Sequence, residues 1–362
     1  MSSLANPSGA NSKKEQSGRN YRIEFSSGLT YRLNSNAGRQ FQGNLGSTSG
    51  PTRRMLGKQW IASRFQGNDP GQVRITDAEP DTQFSLVAPK KTDLLSLRPL
   101  TVPEGLCLCP VQQLSDGVDD QSASAVKGAY YSGAFLLRST AAVELDVDPD
   151  EIVINCLRAV EDDDAFLGEI VFSDYLPNGA GFARWMFDQI SYLSKEATAG
   201  GEKSFYAGLV ARDHLSCDSS CPDCLRHFRN MQFHGLLDWR LGLSFLRLLF
   251  TDGYVCGIDG NFAYPELSNW MELAKTQAER ICRAFSSPGN SWTPRTFGGL
   301  PGFVAGNRPG LLIHPLWHRS KSTGILADAI ADAMVVGPNP ILADTFNVSR
   351  RMSWAYQTWI PQ

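Results

Sequence analysis

The pattern of apolar and polar positions divides the chain into an early β-rich part and a later part in which strands and helices alternate. From Tyr21 onward, short β-type runs are separated by Gly, Asn and Pro clusters that favour hairpins and loops. The runs are RIEF, LTYRL, WIASRF, VRIT, FSLV and DLLSLRPL. We predict a β-rich region over residues 21–125, preceded at residues 1–20 by a polar leader that we expect to be disordered.

Helical and strand patterns alternate in the remainder, residues 126–362. The predicted helices cover residues 127–145, 182–193, 225–250, 267–285 and 322–336. The predicted strands cover residues 151–160, 167–176, 311–317 and 341–348. This alternation indicates an α/β module, so the predicted fold class is α/β, in the sense of a mixed α+β protein with a β-rich N-terminal part.

Composition narrows the class of protein. The chain has 362 residues, of which 42% are hydrophobic and 20% charged, so neither a disordered chain nor a small disulfide-stabilised module fits. The N-terminus lacks the apolar core of a signal peptide, and the most apolar stretch, LGLSFLRLLF, is too short to span a bilayer. We therefore expect a cytoplasmic protein without a membrane partner. In that reducing compartment, eight cysteines favour metal ligands or buried thiols over disulfides.

The net charge of −3 conceals two oppositely charged regions. Residues 13–64 contain ten Lys or Arg and two Glu, whereas residues 144–169 contain ten acidic residues and one Arg. Both regions can be solvated surfaces, or they can face one another. The basic region can also contact the phosphate backbone of a nucleic acid, so both interpretations stay open at this point.

Three cysteines within a short segment form the strongest chemical signal. Cys217, Cys221 and Cys224 lie in the run HLSCDSSCPDCLRHFRNMQFH, where the Cys-Pro-Asp-Cys spacing brings two thiolates to one zinc ion. Tetrahedral zinc needs a fourth ligand, for which we favour His234, with His214 and more distant cysteines as alternatives. A redox pair or unmetallated thiols are the competing interpretations. A site closed by four protein ligands leaves no position for water, so the predicted zinc is structural.

Arginines and aromatic residues supply candidates for nucleic-acid binding. Arg226 and Arg229 flank the cysteine cluster. Arg350 and Arg351 precede Trp354, and guanidinium groups next to an aromatic ring can grip phosphates and stack on unpaired bases. The alternative for Arg350 and Arg351 is a C-terminal segment that packs on the core through its aromatic rings. The alternative for Arg226 and Arg229 is pairing with the acidic region, residues 144–169.

Other motifs give weaker signals for catalysis. The chain has neither a phosphate-binding P-loop nor the Asp-Glu pair that helicases use for magnesium, so it should not hydrolyse ATP alone. The turn at residues 178–181 is either an anion cradle or a tight strand-to-helix connection. His314, His318, Lys321 and Asp328 invite comparison with phospholipase D type nucleases, but the spacing differs and a second copy is missing. We predict a protein that is not an enzyme.

Four segments carry a resemblance to a known family. They are APKKTDLLSLRP, AYYSGAFLL, DYLPNGAGF and CDSSCPDCLRHFRNMQFHGLLDWRLGL. Through these segments, residues 84–250 resemble the domain of unknown function 1998 (DUF1998), also called the MrfA-type zinc-binding domain. That domain typically forms the C-terminal end of superfamily 2 helicases in DNA repair. In antiphage systems such as DISARM it also occurs in a separate subunit, the DrmB type.

The resemblance implies zinc at Cys217, Cys221 and Cys224, with Leu215 standing where the helicases commonly have another cysteine. It also implies that a helicase motor, if present, is another chain. We therefore expect a non-catalytic, zinc-stabilised accessory subunit that works with a separately encoded superfamily 2 helicase on single-stranded or duplex DNA, in antiphage defence or DNA repair. The alternatives are a phospholipase D-like nuclease and a structural adaptor that binds a basic partner through residues 144–169.

Overall fold

The structure is a computed structural model, and it confirms a mixed α+β fold. The residues that it describes are 2–6, 13–34, 41–48, 59–61, 75–84, 86–111, 120–162 and 165–353. No helix among them is long and apolar enough to cross a membrane.

The described strands and helices follow the predicted order of a β-rich part and a mixed part. The strands are β1 Ser2–Asn6, β2 Lys13–Ser17, β3 Tyr21–Asn34, β4 Phe41–Thr48, β5 Gln59–Ile61, β6 Ile75–Phe84, β7 Leu86–Pro99, β8 Ile152–Ile154, β9 Arg158–Asp162, β10 Ala165–Asp174, β11 Trp292–Phe297, β12 Leu300–Ala305, β13 Arg308–Ile313 and β14 Ile341–Asp344. The α-helices are α1 Asp120–Leu145, α2 Phe182–Asp188, α3 Ile190–Ala199, α4 Phe205–Leu209, α5 Trp239–Phe250, α6 Trp270–Phe285, α7 Gly324–Met334 and α8 Thr345–Arg350.

A seven-stranded antiparallel sheet forms the framework, with the order β1-β3-β7-β10-β8 and with β2 and β9 on its margins. Strands β3 and β7 pair along their whole length, from Tyr21 opposite Pro99 to Asn34 opposite Leu86. Because β7 also pairs with β10, this sheet continues across the boundary that we predicted between residues 125 and 126. The β-rich part and the mixed part therefore share one sheet.

Two strands lie in the segment that we expected to be a disordered leader. Strand β1 pairs with residues 29–33 of β3, and β2 pairs with residues 22–26. Since β7 occupies the other edge of β3, both short strands add to the same edge. Edge pairing satisfies backbone N–H and C=O groups without requiring apolar side chains, which explains why a hydrophobicity pattern does not detect it.

Helix α1 packs against α5 at the centre of the mixed part. Glycines allow this close approach, because a Cβ on Gly242 would lie 2.7 Å from the backbone of Ser132, and one on Gly133 would lie 2.6 Å from the ring of Phe245. Next to this contact the rings of Tyr130 and Phe245 lie 4.4 Å apart. The pair of helices therefore gives the cysteine segment, which runs into α5, a rigid base.

The predicted helix over residues 225–250 is largely wrong in its first half, because α5 begins only at Trp239. Before it, residues Phe228–Phe233 form a 3-10 helix, and the side-chain amide of Asn230 donates from Nδ2 to the carbonyl of Leu225. The Asp238 carboxylate accepts hydrogen bonds from the first amides of α5 and caps it. Side-chain bonds to the backbone thus interrupt an apolar pattern that looks continuous.

A second sheet, with the order β11-β12-β13-β14, lies at the C-terminal end of the described chain. Strands β11 and β12 escaped prediction because Pro294 interrupts the first run and Pro301 with Gly302 the second, and such residues usually indicate a loop. The predicted strand over residues 341–348 ends at Asp344, whose carboxylate accepts the amide of Asn347 and begins α8.

Candidate metal centre

Four side chains bring their donor atoms together between α4 and α5. His214 opens a 3-10 turn, Cys217 ends it, and Cys221 and Cys224 lie in the turn that follows. The sulfur atoms and one imidazole nitrogen all lie within 4.8 Å of one another. The cluster is partly buried, with Cys224 the most enclosed.

The spacing of these donors fits a tetrahedral zinc ion. The Sγ atoms of Cys221 and Cys224 are 3.6 Å apart, and Cys221 Sγ lies 3.5 Å from Nε2 of His214. A tetrahedron with zinc–sulfur bonds of about 2.3 Å and zinc–nitrogen bonds of about 2.0–2.1 Å has edges of about 3.8 Å and about 3.6 Å. Three sulfurs and one nitrogen are also a donor set that zinc favours.

The ring of His214 is oriented for ligation by a bond on its far nitrogen. Nδ1 lies 2.7 Å from the carbonyl oxygen of Leu209, which can only accept a hydrogen bond, so this nitrogen carries the proton. The lone pair of Nε2 is therefore directed at the sulfur cluster. A backbone carbonyl that fixes the tautomer in this way is the usual support of a metal-binding histidine.

Backbone hydrogen bonds hold Cys221 and Cys224 in place within the tight turn that joins them, which we call the knuckle. The amide of Cys221 donates to Sγ of Cys224 at 3.1 Å, and the amides of Cys224, Leu225 and Arg226 converge on the carbonyl of Cys221. An amide that donates to sulfur favours the thiolate over the thiol. The backbone bonds of the turn thus fix the positions of the two sulfur atoms, and the amide of Cys221 favours the thiolate form that binds a cation.

Helix α5 fastens the other end of the cluster. Arg240 donates from Nη1 to the carbonyl of Cys217 and from Nη2 to that of Leu215, both at 2.7 Å. Its guanidinium group stacks over Trp239 at 4.4 Å, and the Trp239 indole donates to the same Cys217 carbonyl at 3.3 Å. Sequence analysis did not single out either residue, because neither has a metal-binding side chain and the contact joins two separate segments.

Without a cation, the protein environment disfavours the charged thiolates. Burial, followed by the neighbouring Cys221, raises the pKa of Cys217, and burial also raises the pKa of Cys224. Two or three thiolates in one partly buried cluster need a compensating positive charge. A divalent ion supplies that charge and keeps coordinating thiols deprotonated.

His234, our preferred fourth ligand, makes different contacts. Its Nε2 lies 2.9 Å from the side-chain oxygen of Asn230 and 3.1 Å from the carbonyl oxygen of His227. Among the described residues, the group of candidate metal donors includes His214 and not His234. The 3-10 helix between the knuckle and His234 holds that ring against its own turn, so we replace His234 by His214.

This replacement predicts opposite behaviour of two histidine variants. His214→Ala should weaken zinc binding by at least about 100-fold, because it removes a direct ligand, whose loss costs more than that of a supporting residue. His234→Ala should bind zinc as the unmodified protein does. Competition with a chromophoric zinc chelator measures both affinities, and equal losses in the two variants would contradict the assignment.

Three comparisons with known proteins bear on this site. A scan against protein families gave no match. A stretch of 165 residues, 43% of this chain, is 33% identical to the Druantia protein DruE of Escherichia coli (strain UMEA 4076-1). This chain spans only 8% of that relative. The crystal structure of the DUF1998 helicase MrfA bound to DNA overlaps 68% of this chain and 24% of its own, at 13% identity and a TM-score of 0.36, which does not establish a shared fold.

The chain resembles DUF1998 domains. The motifs that carry this resemblance include the cysteine segment, and within it the DUF1998-like residues Cys217, Cys221 and Cys224 meet in space. The same resemblance includes Asp174 and the turn that follows it.

The turn at residues 178–181 of the DUF1998-like segment is occupied by a carboxylate of the protein itself. Asp174, fully buried at the end of β10, accepts the amides of Ala180 and Gly181 at 2.6 and 2.7 Å through one oxygen. Its other oxygen accepts the amide of Ala183 at 2.8 Å. Of the two interpretations, the structure supports the tight strand-to-helix connection, because the amides of an anion cradle are already in use.

The arginines of the cysteine segment make intramolecular contacts. Arg226 donates from Nε to Ser220 Oγ at 2.9 Å and so braces the knuckle. Arg229 is exposed, and its Nε lies 3.4 Å from a carboxylate oxygen of Asp150. Only Arg229 therefore presents most of its side chain to solvent.

The C-terminal candidates differ in their surroundings. Arg350 is a structural residue, because it lies over the ring of Phe346 at 3.9 Å and donates to the carbonyls of Gly235 and Leu237. Arg351 is exposed after α8. Trp354 lies outside the described residues. Arg350 ties α8 to the segment before α5, which explains its position without a nucleic acid.

The two histidines of the nuclease-like pattern are held in different environments. His314 is buried between the rings of Trp270 and Trp317, and its Nδ1 accepts the amide of Leu316 at 3.3 Å. The backbone amides of Ser320 and Lys321 each donate to Nδ1 of His318 at 3.1 Å. The two indole rings enclose the imidazole of His314 and leave no open space in front of it for a DNA backbone, so His314 does not fit the role of a nucleophile.

The same burial predicts an acid-sensitive stability. Burial lowers the pKa of His314 from 6.5 to about 3, so the folded protein keeps the ring neutral while the unfolded chain binds a proton below pH 6.5. The resulting stabilisation is present above pH 6.5 and is lost as the pH falls toward about 3. Between neutral pH and pH 4 the loss should be on the order of 3 kcal/mol.

A His314→Gln variant isolates this contribution, because glutamine keeps an acceptor and does not titrate. Urea unfolding at a series of pH values gives the free energy of unfolding for both proteins. The titration of the metal ligands is common to both and cancels in the difference. We expect the variant to show the shallower pH dependence, and parallel curves would refute the prediction.

Proposed function

We propose that the chain is a zinc-stabilised, non-catalytic accessory protein of the cytoplasm that acts with a separately encoded superfamily 2 helicase on DNA. The setting that we infer is antiphage defence or DNA repair, and a DrmB-type subunit of a DISARM system is one form of this role. The proposal has a structural part, the zinc, and a biological part, the helicase.

The closed His214, Cys217, Cys221 and Cys224 cluster carries the structural part. Its four donors are enough for tetrahedral zinc, so no ligand position remains for a catalytic water. When bound, zinc supplies a positive charge and a cross-link between the turn at Cys217 and the knuckle. The bonds from Arg240 then transmit this rigidity to α5.

Two observations support the biological part. The DUF1998-like motifs extend over residues 84–250 and include the cysteine segment, and that domain accompanies superfamily 2 helicases. The second is the 33% identity with the Druantia protein DruE over a stretch of 165 residues. The 362 residues contain no P-loop, and the proposal places the motor on a separately encoded chain.

Co-expression with the helicase encoded nearest to this gene tests the proposal. We expect the tagged chain to purify with that helicase and to change its DNA-stimulated ATPase rate or its affinity for DNA. DNA affinity should fall steeply with salt concentration, as expected when Lys and Arg side chains displace the counterions of the DNA phosphates. A chain that stays alone and alters neither property contradicts the helicase role. Salt-sensitive binding to a basic protein through residues 144–169, without binding to DNA, would support the adaptor alternative instead.

A further inference from the structure

A pocket with an excess of arginines lies beside the 3-10 helix Phe228–Phe233. Its volume is about 370 Å³, and its walls come from α1, β8, the 3-10 helix and the end of β10. Arg32, Arg138 and Arg229 line it, and Asp150 is the one carboxylate among its lining residues. Three positive charges therefore face one negative charge.

Arg138 has unused hydrogen-bonding capacity in this pocket. The residue is 5% exposed, and its Nη1 lies 3.4 Å from Asp150 Oδ1, whereas Nε and Nη2 have no hydrogen-bond partner among the described residues. Its guanidinium group lies 4.8 Å from the ring of Phe135 on the same helix. A buried cation with unsatisfied donors is costly unless an anion completes its contacts.

The neighbouring acidic groups, Asp150 and Asp148, act on Arg138 through their charge but leave its Nε and Nη2 without a hydrogen-bond partner among the described residues. Arg229 competes for the same Asp150 carboxylate, at 3.4 Å from its second oxygen. Arg32 lies over the ring of Tyr175 at 5.0 Å, and Lys90 lies 5.7 Å from the same ring. Lys90 donates to the backbone carbonyls of Asp174 and Tyr175, and the Asp174 carboxylate offsets part of its positive charge.

The pocket continues into an apolar one. Cys156, Gln232 and Phe233 belong to both, and the second pocket, of about 390 Å³, is lined mainly by apolar residues that include Tyr131 and Leu236. The rings of Tyr131 and Phe233 lie 4.5 Å apart. The two pockets together form a groove with a cationic half and an aromatic half.

An exposed aromatic residue stands next to this groove. Phe228 precedes Arg229 on the 3-10 helix and is 84% exposed, which is unusual for a ring of this size. Phosphates on guanidinium groups and bases on aromatic rings are the two contacts by which proteins bind single strands without sequence preference. An acidic peptide without aromatic residues would match the arginines, but it has no ring to stack on Phe228 or in the aromatic half, whereas every nucleotide carries both a phosphate and a base.

We propose that this groove binds single-stranded DNA, with a phosphate at Arg138 and Arg229 and a neighbouring base on Phe228 or in the aromatic half. The inference rests on the proposed action on DNA and names the surface that performs it. Arg32 and Lys90 extend the positive surface along the strand.

Fluorescence anisotropy with a labelled oligo-dT and the full zinc-loaded chain tests the groove. Arg229→Glu should weaken binding by about 10-fold or more, and Phe228→Ala by roughly 5-fold or more, because a stacked base contributes about 1–3 kcal/mol. Both side chains are largely exposed, so these variants should keep the thermal stability of the unmodified protein. Arg184→Glu, an exposed arginine on α2, is the matched control and should bind normally.

Arg138 gives a second readout that does not depend on an exposed residue. Oligo-dT should raise the melting temperature of the unmodified protein, and this increase should disappear in Arg138→Met, even if that variant is intrinsically more stable.

Normal oligo-dT binding by the Arg229 and Phe228 variants would overturn the groove and leave the helicase proposal standing. A chain that binds its helicase but no single strand, or whose groove binds a poly-glutamate peptide in preference to oligo-dT, would also overturn the groove alone. Failure of both helicase and DNA binding would remove the proposed function as well.

Discussion

Cys224→Ala should abolish tight zinc binding and lower the free energy of unfolding by on the order of 5 kcal/mol. The expected loss is below the roughly 10–16 kcal/mol of isolated zinc-finger peptides, because the sheet and the α1–α5 packing remain after the metal leaves. The variant also loses the sulfur that accepts the amide of Cys221. Chemical denaturation with a parallel zinc analysis measures both effects, and limited proteolysis should then cut between α4 and α5.

Cys282→Ala is the matched control for this variant. Cys282 is buried on α6 outside the metal cluster, and burial raises its pKa to about 11, so it remains a protonated, unligated thiol. Its replacement removes one buried atom and should cost about 1 kcal/mol without loss of zinc. Equal destabilisation of the two variants, or an unchanged zinc content in Cys224→Ala, would contradict a metal role for the cluster.

Asp174→Ala should destabilise the fold by about 4 kcal/mol, since each hydrogen bond to a charged group contributes about 1.5–3 kcal/mol and the energies are not fully additive. The carboxylate satisfies the amides of Ala180, Gly181 and Ala183 at the start of α2, and alanine leaves them without acceptors. Gly181 has a φ of 91°, which glycine adopts without a steric penalty, so the turn can present its amides to this carboxylate.

The control for Asp174 is Asp188→Ala, an acidic residue at the other end of α2. Asp188 forms an exposed ion pair with Arg184 at 2.7 Å, four residues apart on the helix. Such pairs contribute about 0.3–0.5 kcal/mol, so the control should be close to neutral. The two melting curves compare directly, and a small effect of Asp174→Ala would show that water or other groups satisfy the turn.

The sequence predicted the three cysteines of the metal centre but not the histidine that completes it. The spacing of Cys217, Cys221 and Cys224 is local and identifies the knuckle directly. The choice between His214 and His234 depends on the path of the chain on either side of it. That path is fixed by Asn230, whose side chain bonds to two backbone groups, and no hydrophobicity pattern reveals such bonds.

The same limit explains the errors in the fold. Helix α1 was predicted because its apolar face recurs at helical spacing. Strands β1 and β2 were missed because they add to β3 through backbone bonds and, for β2, through the ion pairs Lys13–Glu24 and Arg22–Glu15, none of which needs an apolar pattern. The helix predicted over residues 225–250 was half wrong because Asp238 caps a new helix within an apolar run. Local pattern thus predicts burial well, whereas caps and edge strands depend on contacts made after the chain folds.

The anion cradle shows how a long-range partner changes the meaning of a motif. Small residues at positions 178–181 leave amides available, as a phosphate-binding turn would. The acceptor that uses them is Asp174, at the end of the preceding strand, and its role requires the turn to fold back on that strand. The small residues at positions 178–181 therefore do not reveal by themselves whether their amides bind a carboxylate of the protein or an anionic ligand.

X-ray absorption at the zinc edge of the unmodified protein tests the central claim most directly. The account predicts stoichiometric zinc with three sulfur neighbours at about 2.3 Å and one nitrogen neighbour at about 2.0–2.1 Å. The absence of stoichiometric metal from protein purified without chelators would contradict it. A shell of four sulfurs, or of oxygen in place of the imidazole nitrogen, would contradict the assignment of His214.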